Sequence, residues 1–522
     1  MELCDQYLHE QIKLNPPLND YYHFKEYENL RHIFPNYWSK DYNKSLKNLT
    51  KKYLKLLNKI KSKNVYDKIL ERDLLLDEKY DKFKIYDYLP ISSQNNIFYT
   101  IVKEIEGDFY FKINNKSDIE AYIKRLKVLN PITDDIIEQF KDGIKTGITM
   151  YYRNVDYIIE TLEDIIKGKS YEFKKNIELK SKFNKIIEEY YVKNVNKLIT
   201  FLLTDYYPHA SKKLGLCQYP GGKSLYKLII HDYLYDFATP ENIHQLGVLE
   251  VKRVHKALES LKKNNKKIWD KYEDNYKPKT RKQLLSQTLS IREKLYKNMD
   301  KYFHDNLKVK DNYDIKKVEI ETDSTAFYYP SDFQRKKKGT FYINVDNHEF
   351  NHNELLVLSL HEGMPGHHYQ IERLNNNSKI PIYIKHNDST AYVEGWGLYS
   401  ENLYEYDNLI EYYFKLKYEL LRSCRLVIDT GIHYYGWNEE DCLKYNNKYL
   451  PKSSSEYKRY IDDPGQALCY KMGELTINFL KDKYLERNPD GIKDFHEIIM
   501  DVGPLPLTFL ISECKKKYEC KL

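Results

Sequence analysis

A ten-residue segment of this chain holds the residues best suited to chemistry, His361-Glu-Gly-Met-Pro-Gly-His-His-Tyr-Gln370. Neutral imidazoles are common zinc ligands, and a glutamate beside the first ligand can take a proton from a zinc-activated water. Three histidines and one glutamate so close together, interrupted by Pro-Gly, are hard to explain as packing alone. We therefore predict a site for one zinc ion, with His361 as a ligand and Glu362 as the general base.

The second ligand is less obvious, because Pro365 stands where the common zinc motif has its second histidine, four residues after the first. Proline lacks an N–H and clashes with the preceding turn, so we expect the helix to widen here, as in a π-bulge. Two inserted residues would bring His367 to the ligand position. On an ideal helix His368 lies about 10 Å from His361 along the axis. His367 is therefore the predicted ligand, and His368 is an alternative ligand or a residue that supports one.

A catalytic zinc site has three protein ligands and one open position. Glu394 lies in an apolar helical stretch, where a carboxylate is costly unless it is paired or bound to a metal, and Gly395 and Gly397 leave room beside it. Glu394 is the predicted third ligand; the alternative is a salt-bridged helix glutamate. Glu401 lies two turns further on the same face and is expected to hold a ligand histidine. The predicted metal site thus spans residues 361–401.

The segment 361–370 resembles the motif of the domain of unknown function 885 (DUF885) family, whose members are described as zinc-dependent peptidases of helical build. The Glu-Gly-Trp sequence at 394–396 is similar to another motif of that family, and so is the Pro-Gly-Gln-Ala-Leu segment within 463–473. The resemblance alone makes Tyr470 a candidate hydrogen-bond donor to the oxyanion formed during hydrolysis.

The matching motifs run from about Leu89 to Leu510 and suggest two parts of the chain. Residues 1–85 are predicted to be an N-terminal helical flank. Residues 86–515 are predicted to be the DUF885-like helical zinc hydrolase domain.

A mostly apolar helix carries Arg422, Arg425, Asp429 and His433 at spacings of three to four residues, and it resembles a further family motif. Charges that recur on one face of a buried helix indicate a polar network. We interpret His433 as an oxyanion donor and the two arginines as candidate anchors for a substrate carboxylate. Asp429 is expected to be structural, in a salt bridge with Arg425.

The elements that position these residues are mainly helices. A change to alternating and aromatic residues predicts a small antiparallel sheet at about residues 316–346, next to the apolar helix that leads into His361. The edge of such a strand can hold an extended peptide by backbone hydrogen bonds. Tyr342 is the candidate substrate contact on this sheet. The predicted fold is mainly α, a large multi-helix body with this sheet beside the zinc-binding helix.

Composition limits the classes of function. The 522 residues carry a net charge of +7 with acidic and basic residues interspersed, so nucleic acid is not an expected partner. Seven cysteines without a CxxC pair argue against a disulfide framework and for a reducing compartment. The N-terminus lacks a signal-peptide pattern, and no apolar run approaches about twenty residues, so we expect a cytoplasmic protein without a membrane span.

The most consistent function is a zinc-dependent metallohydrolase, a peptidase that cleaves short peptides. One alternative is an amidohydrolase that acts on a small non-peptide amide. Another is a non-catalytic helical interaction protein that keeps the fold. The oligomeric state does not follow from the sequence.

Overall fold

A computed structural model describes residues 2–93, 95–107, 110–304, 313–318, 325–331, 338–344, 351–386, 389–451 and 456–520. It confirms the mainly α fold. Contacts between residues divide the chain into two compact units. One comprises residues 1–225 and 461–463, and the other comprises 226–460 and 464–522.

The division near residue 225 differs from the predicted boundary at residue 85. The N-terminal segment is tied to a helix that lies beyond residue 85, Lys116–Leu126, by a buried ion pair in which Arg125 Nη1 lies 2.6 Å from Asp20 Oδ2. Both side chains are almost fully buried. A buried pair of this kind is costly to separate, so the first 85 residues are part of the first unit.

Ten helices form most of the first unit: α1 (Leu3–Leu14), α2 (Asn19–Tyr22), α3 (Lys40–Leu57), α4 (Val65–Tyr80), α5 (Ile97–Glu106), α6 (Lys116–Leu126), α7 (Leu129–Thr146), α8 (Tyr152–Lys167), α9 (Lys180–Ile186) and α10 (Lys193–Phe201). In α8 the apolar residues Val155, Ile158, Ile159, Leu162 and Ile165 recur at helical spacing, and all are buried. This one-sided pattern explains why α8 packs against the core of the unit with its charged face outward.

The remaining helices are α11 (Gly222–Tyr233), α12 (Pro240–Asn264), α13 (Lys266–Asn275), α14 (Arg281–Asn298), α15 (Leu355–Glu362), α16 (His367–Asn376), α17 (Ile382–His386), α18 (Thr390–Ser400), α19 (Leu409–Thr430), α20 (Glu439–Tyr449), α21 (Tyr457–Asp462), α22 (Cys469–Leu485), α23 (Ile492–Val502) and α24 (Leu507–Cys520). Short 3₁₀ helices span Pro16–Leu18, Lys25–Leu30, Tyr86–Tyr88, Tyr207–His209, Leu216–Gln218, Met299–Lys301, His352–Glu354 and Gln466–Leu468. π-Helical turns span Ile187–Val192, Leu202–Tyr206 and Gly431–Tyr435.

Helix α15 of the second unit is apolar on nearly every face. Its residues Leu355 to His361 are all buried. Leu356 and Leu360 pack on Leu295 of α14. A helix that is apolar all round must be enclosed by other elements, and this packing fixes the position of His361 at the end of α15.

Helices α18 and α22 approach closely at a pair of glycines. A Cβ on Gly395 would lie 2.5 Å from the Cα of Gly473, so neither position has room for a side chain. This contact brings the helix of Glu394 against the helix of Tyr470.

The sheet has three strands, β1 (Asp314–Lys317), β2 (Ala326–Tyr329) and β3 (Thr340–Ile343), in the order β1-β3-β2. β2 pairs with β3 antiparallel, but β1 pairs with β3 in parallel. The prediction of a purely antiparallel sheet was therefore wrong in this respect, because alternation in the sequence does not specify strand direction. Residues 319–324, 332–337 and 345–346 of the predicted region lie outside the described residues.

None of the helices in the described residues has the length and apolar character needed to cross a membrane. Among the cysteine side chains that the structure describes, none forms a disulfide.

Candidate metal centre

The helix carrying His361 does not continue through the proline as a π-bulge. α15 ends at Glu362, and a new helix, α16, begins at His367. Gly366, which precedes α16, has φ −72° and ψ −136°, far from helical values. Because Pro365 cannot continue the helix, the helix ends before it and a second helix starts after it. The predicted bulge was wrong, but the break brings His367 back to His361.

Three side chains offer converging donor atoms, those of His361, His367 and Glu394. Glu394 Oε2 lies 3.5 Å from His361 Nε2 and 3.5 Å from His367 Nε2. One donor atom from each residue lies within 4.8 Å of the others. The two imidazole rings are nearly perpendicular, with centroids 4.7 Å apart.

This donor set fits zinc. Two donors bound to one tetrahedral ion at 2.0–2.1 Å lie about 3.3 Å apart, close to the separations found here. Two imidazoles and one carboxylate are also a ligand set that zinc commonly has in hydrolases. The three residues are the ones predicted to be ligands from the sequence.

Helix α18 supports His361 as well as contributing Glu394. Glu401 Oε1 lies 2.8 Å from His361 Nδ1, so this nitrogen donates to the carboxylate and the Nε2 atom is the one that lies near Glu394. Ser400 Oγ donates to the carbonyl of Leu360 at 2.9 Å. Burial lowers the pKa of His361, but the hydrogen bonds to Glu394 and Glu401 outweigh this and raise it to about 9.

The surroundings of these donor atoms therefore favour a positively charged group among them. The pKa of Glu394 is held well below its usual range although burial raises it, because both histidines hydrogen-bond to its carboxylate.

Gly397 lets the two histidines lie against α18. A Cβ at this position would lie 2.7 Å from His361 Cε1 and 3.0 Å from His367 Cε1. Both imidazoles would have to move, so the absence of a side chain at Gly397 is a geometric requirement of the site.

Glu362 is held by a backbone group of the sheet. The N–H of Tyr328 in β2 donates to Glu362 Oε2 at 3.0 Å. Burial raises the pKa of Glu362, whereas the charges of His361, His367 and Arg422 lower it. The carboxyl group thus lies beside the donor set and is fixed by the strand.

His368 points to a different environment from His367. Its Nδ1 hydrogen-bonds to Tyr328 Oη at 2.8 Å, and its ring packs on Tyr313 with centroids 4.7 Å apart. His368 therefore connects the sheet to α16, and His367 is the one that joins the donor set.

Tyr470 lies beside the donor set at the start of α22. Its ring stacks with that of His361 at 6.4 Å between centroids. Burial raises the pKa of Tyr470 and the charge of Glu394 adds to the rise, whereas Arg425 and Arg459 lower it. The Cζ of Arg425 lies 4.5 Å from the centre of this ring. The structure thus brings together Tyr470 and the predicted anchor residue Arg425.

His433 lies in a different environment from the one predicted. It is fully buried in the π-helical turn that follows α19, and its Nε2 lies 2.7 Å from the carbonyl oxygen of Tyr460. Its ring stacks on Tyr226, and burial lowers its pKa to about 4. Because Nε2 already has this partner, we no longer assign His433 the role of an oxyanion donor.

The predicted Arg425–Asp429 salt bridge was also wrong in its pairing. Arg425 forms its ion pair with Glu456 at 2.8 Å. Asp429 is buried and accepts hydrogen bonds from Tyr226 Oη and from the N–H of Gly465. Asp429 therefore has the expected structural environment, but through residues distant in sequence.

Tyr342 lies on the central strand, β3, and its ring stacks on Phe327 of β2 with centroids 5.2 Å apart. The residue of the sheet that contacts Glu362 is Tyr328 instead. Sequence reasoning missed Tyr328 and Arg459, and it had noted Gly397 only as space beside Glu394. The one sequence signal for Tyr328 was its place in an aromatic strand before the metal helix.

Fold and site together define a mainly helical protein with a buried donor set of two histidines and one glutamate beside a second glutamate. The chain belongs to the family described as "Bacterial protein of unknown function (DUF885)", whose profile matches residues 29–513. The match confirms the family resemblance and begins well before Leu89, so it includes most of the segment that the motifs left uncovered.

Two solved structures have the same fold. The putative lipoprotein from Colwellia psychrerythraea is 20% identical, with a TM-score of 0.88 over 99% of this chain and 98% of that one. A putative lipoprotein of unknown function from Shewanella oneidensis is 16% identical, with a TM-score of 0.72 over 98% of each chain. No curated protein matches this chain. At these identities the likeness establishes the fold alone.

Proposed function

We propose that this protein is a zinc-dependent hydrolase that cleaves short peptides. The observation that carries the proposal is the convergence of His361, His367 and Glu394 beside Glu362. Three ligands with a neighbouring carboxylate are what metal-assisted hydrolysis requires. A purely structural site would more often have four protein ligands.

His361, His367 and Glu394 would hold the zinc ion, which supplies Lewis-acid polarisation and an activated water when bound. Glu362 takes the proton of the attacking water and returns it to the leaving amine. Tyr470 keeps its phenolic proton at neutral pH because burial raises its pKa, so it can donate to the oxyanion that develops on the substrate.

The sheet supports a peptide as the substrate. Among the strands that the structure describes, β2 lies at an edge in the order β1-β3-β2, and the N–H of Tyr328 in β2 donates to Glu362. An extended peptide can add to such an edge by backbone hydrogen bonds, which suit peptides of varied sequence. This position would bring the scissile bond next to the general base.

Zinc is expected to copurify at about one ion per chain, as a three-ligand site implies. The protein should be purified without added metal, and its zinc measured by mass spectrometry. A peptide-library digest with and without chelator then tests hydrolysis, which should stop with the chelator and return with zinc. A well-folded protein that takes up no zinc would instead favour the non-catalytic interaction protein. A zinc protein that cleaves small amides but no peptide would favour the amidohydrolase.

Gly397→Ala is expected to weaken zinc binding by about 10- to 100-fold, the loss typical of disturbing the support of a ligand. The new Cβ would displace both ligand imidazoles, and we expect the rest of the fold to be retained. Competition with a chromogenic chelator measures the affinity. Gly168→Ala is the control, because its nearest neighbour is the carbonyl oxygen of Asp164, far from the ligand residues in sequence and in the other unit. Unchanged affinity in Gly397→Ala would contradict the assigned ligand geometry.

A further inference from the structure

Three arginines surround Tyr470 on the second unit. The Cζ of Arg425 lies 4.5 Å from the centre of the Tyr470 ring, and that of Arg422 lies 5.8 Å from it. Nη2 of Arg459 lies 3.4 Å from Tyr470 Oη. Arg422 and Arg425 come from α19 and Arg459 from α21, so the cluster is formed by tertiary packing.

Within the described residues, only one of the three arginines has an ion-pair partner. Glu456 pairs with Arg425 at 2.8 Å. Within the described part of the chain, neither Arg422 nor Arg459 has a carboxylate within 4.0 Å. Arg459 Nη2 donates to the side-chain oxygen of Gln466, and Arg422 Nη1 to the carbonyl of Tyr418.

Two of these guanidinium groups also have buried N–H donors that make no hydrogen bond to the described residues. The Nε atoms of Arg422 and Arg425 are buried and have no hydrogen-bond partner among the described residues. Arg422 is 7% exposed and Arg425 is 5% exposed. Burying a cation with unused donors is costly unless an anion joins it in the functional state. The cluster therefore has the charge and the donors to receive an anionic group.

The cluster is next to the candidate metal centre. The ring of Tyr470 lies between two neighbours: the guanidinium group of Arg425 lies over it, and the ring of His361 stacks with it. Arg422 is also close enough for its positive charge to lower the pKa of Glu362. A single aromatic ring thus separates the arginines from the proposed zinc ligands.

We propose that Arg422, Arg425 and Arg459 bind the C-terminal carboxylate of a short peptide, so that the enzyme removes residues from the C-terminus. This inference rests on the proposed function and adds the direction of cleavage. A planar guanidinium matches a carboxylate in shape and charge, and it can bind both oxygens. An extended chain advances about 3.3–3.6 Å per residue. A carboxylate one or two residues beyond the scissile bond therefore reaches a cluster that is one ring away.

The reaction is a hydrolysis. The oxygen of water bonds to the scissile carbonyl carbon, and the C–N bond breaks. Glu362 passes one water proton to the leaving nitrogen. The products are a shortened peptide with a new carboxylate and a free amino acid or dipeptide, which keeps the carboxylate bound by the arginines.

Matched peptides test the proposal on the zinc-loaded full chain. One unblocked hexapeptide of alanines and one phenylalanine carries a free C-terminus, and its twin carries a C-terminal amide. A third peptide has the amide and a glutamate as its last residue. The free acid should be cleaved at its last or next-to-last bond, with kcat/KM at least about 10- to 100-fold above the amide, the range for hydrogen bonds to a charged group.

Equal rates for acid and amide, or cleavage in the middle of the peptide, would overturn the proposal. Rapid cleavage of the glutamate-bearing amide would show that the arginines bind an acidic side chain, and it would overturn the assignment of the C-terminal carboxylate as their ligand. Complete absence of hydrolysis would count against the proposed function instead.

Arginine variants provide the second arm. Arg422→Gln and Arg459→Gln should each raise KM for the free acid by about 10-fold or more beyond any effect on the amide, so the acid-to-amide ratio should fall. Arg487→Gln, at an exposed position, is the matched control for loss of one charge. A variant that lowers activity equally on both peptides would indicate a merely structural role.

Calorimetry separates this inference from the proposed hydrolysis. The Glu362→Gln protein should bind the free-acid hexapeptide about 10-fold or more tightly than the amide, without turnover. The difference should disappear in Glu362→Gln combined with Arg422→Gln. Equal affinities in Glu362→Gln would overturn the carboxylate site, whatever the outcome of the digests.

Discussion

His367→Ala is expected to abolish zinc binding and with it all hydrolysis. His367 supplies one of three donor atoms, and its Nε2 lies 3.5 Å from Glu394 Oε2 in the geometry that a shared ion needs. Removing a residue that merely supports a ligand already costs 10- to 100-fold in affinity, so losing a ligand should cost more than about 100-fold. Zinc content and affinity, measured on folded protein, provide the test.

His368→Ala is the matched control, because it removes the adjacent imidazole. His368 hydrogen-bonds to Tyr328, which in turn holds Glu362. Its loss should leave zinc bound and lower kcat through a less well-positioned general base. If His368→Ala loses the metal and His367→Ala retains it, the ligand assignment is wrong.

Glu362→Gln should keep zinc and the fold but lose about 10²- to 10⁴-fold in kcat, the contribution of a positioned general base. The glutamine has nearly the same shape, and its side-chain oxygen can still accept from the N–H of Tyr328. What it lacks is the basic oxygen that takes the proton of water. Steady-state kinetics on a cleavable peptide, with zinc quantified in the same sample, measure the two effects separately.

Glu401→Gln distinguishes this role from support of a ligand. Glu401 is bonded to His361 Nδ1, so its replacement should weaken zinc affinity by about 10- to 100-fold. With saturating zinc, much of the activity should return. Glu362→Gln should not recover with zinc. Loss of zinc in Glu362→Gln would mean that Glu362 is a ligand and not the base.

The sequence by itself determined the features of this site that lie within one helix. The apolar run before His361 predicts a buried helix, and α15 is one. The seven-residue spacing from Glu394 to Glu401 places both carboxylates on one helix face, and both contact His361. These predictions succeeded because helical geometry relates residues within two turns directly. The mainly α class followed for the same reason, from patterns repeated along the chain.

Tertiary structure alone decided which distant segments meet. Arg425 was predicted to pair with Asp429, one turn away, but the fold gives it Glu456, while Asp429 bonds to Gly465. Nothing in the local pattern linked Arg459 to Tyr470. Spacing fixes the direction of a side chain relative to its own helix, but the partner on the other side depends on how helices pack.

The helix break at Pro365 was also determined partly by the sequence and partly by tertiary packing. The sequence excluded a regular helix there, since proline cannot continue the hydrogen-bond pattern. Whether the helix would bulge or break depended on contacts that local spacing does not contain. Trp396 of α18 donates to the carbonyl of Pro365 at 2.8 Å, and Gly397 leaves space for both imidazoles. The residue types of the candidate centre were thus evident from the sequence, whereas the convergence of their donor atoms required the packing of α15, α16 and α18.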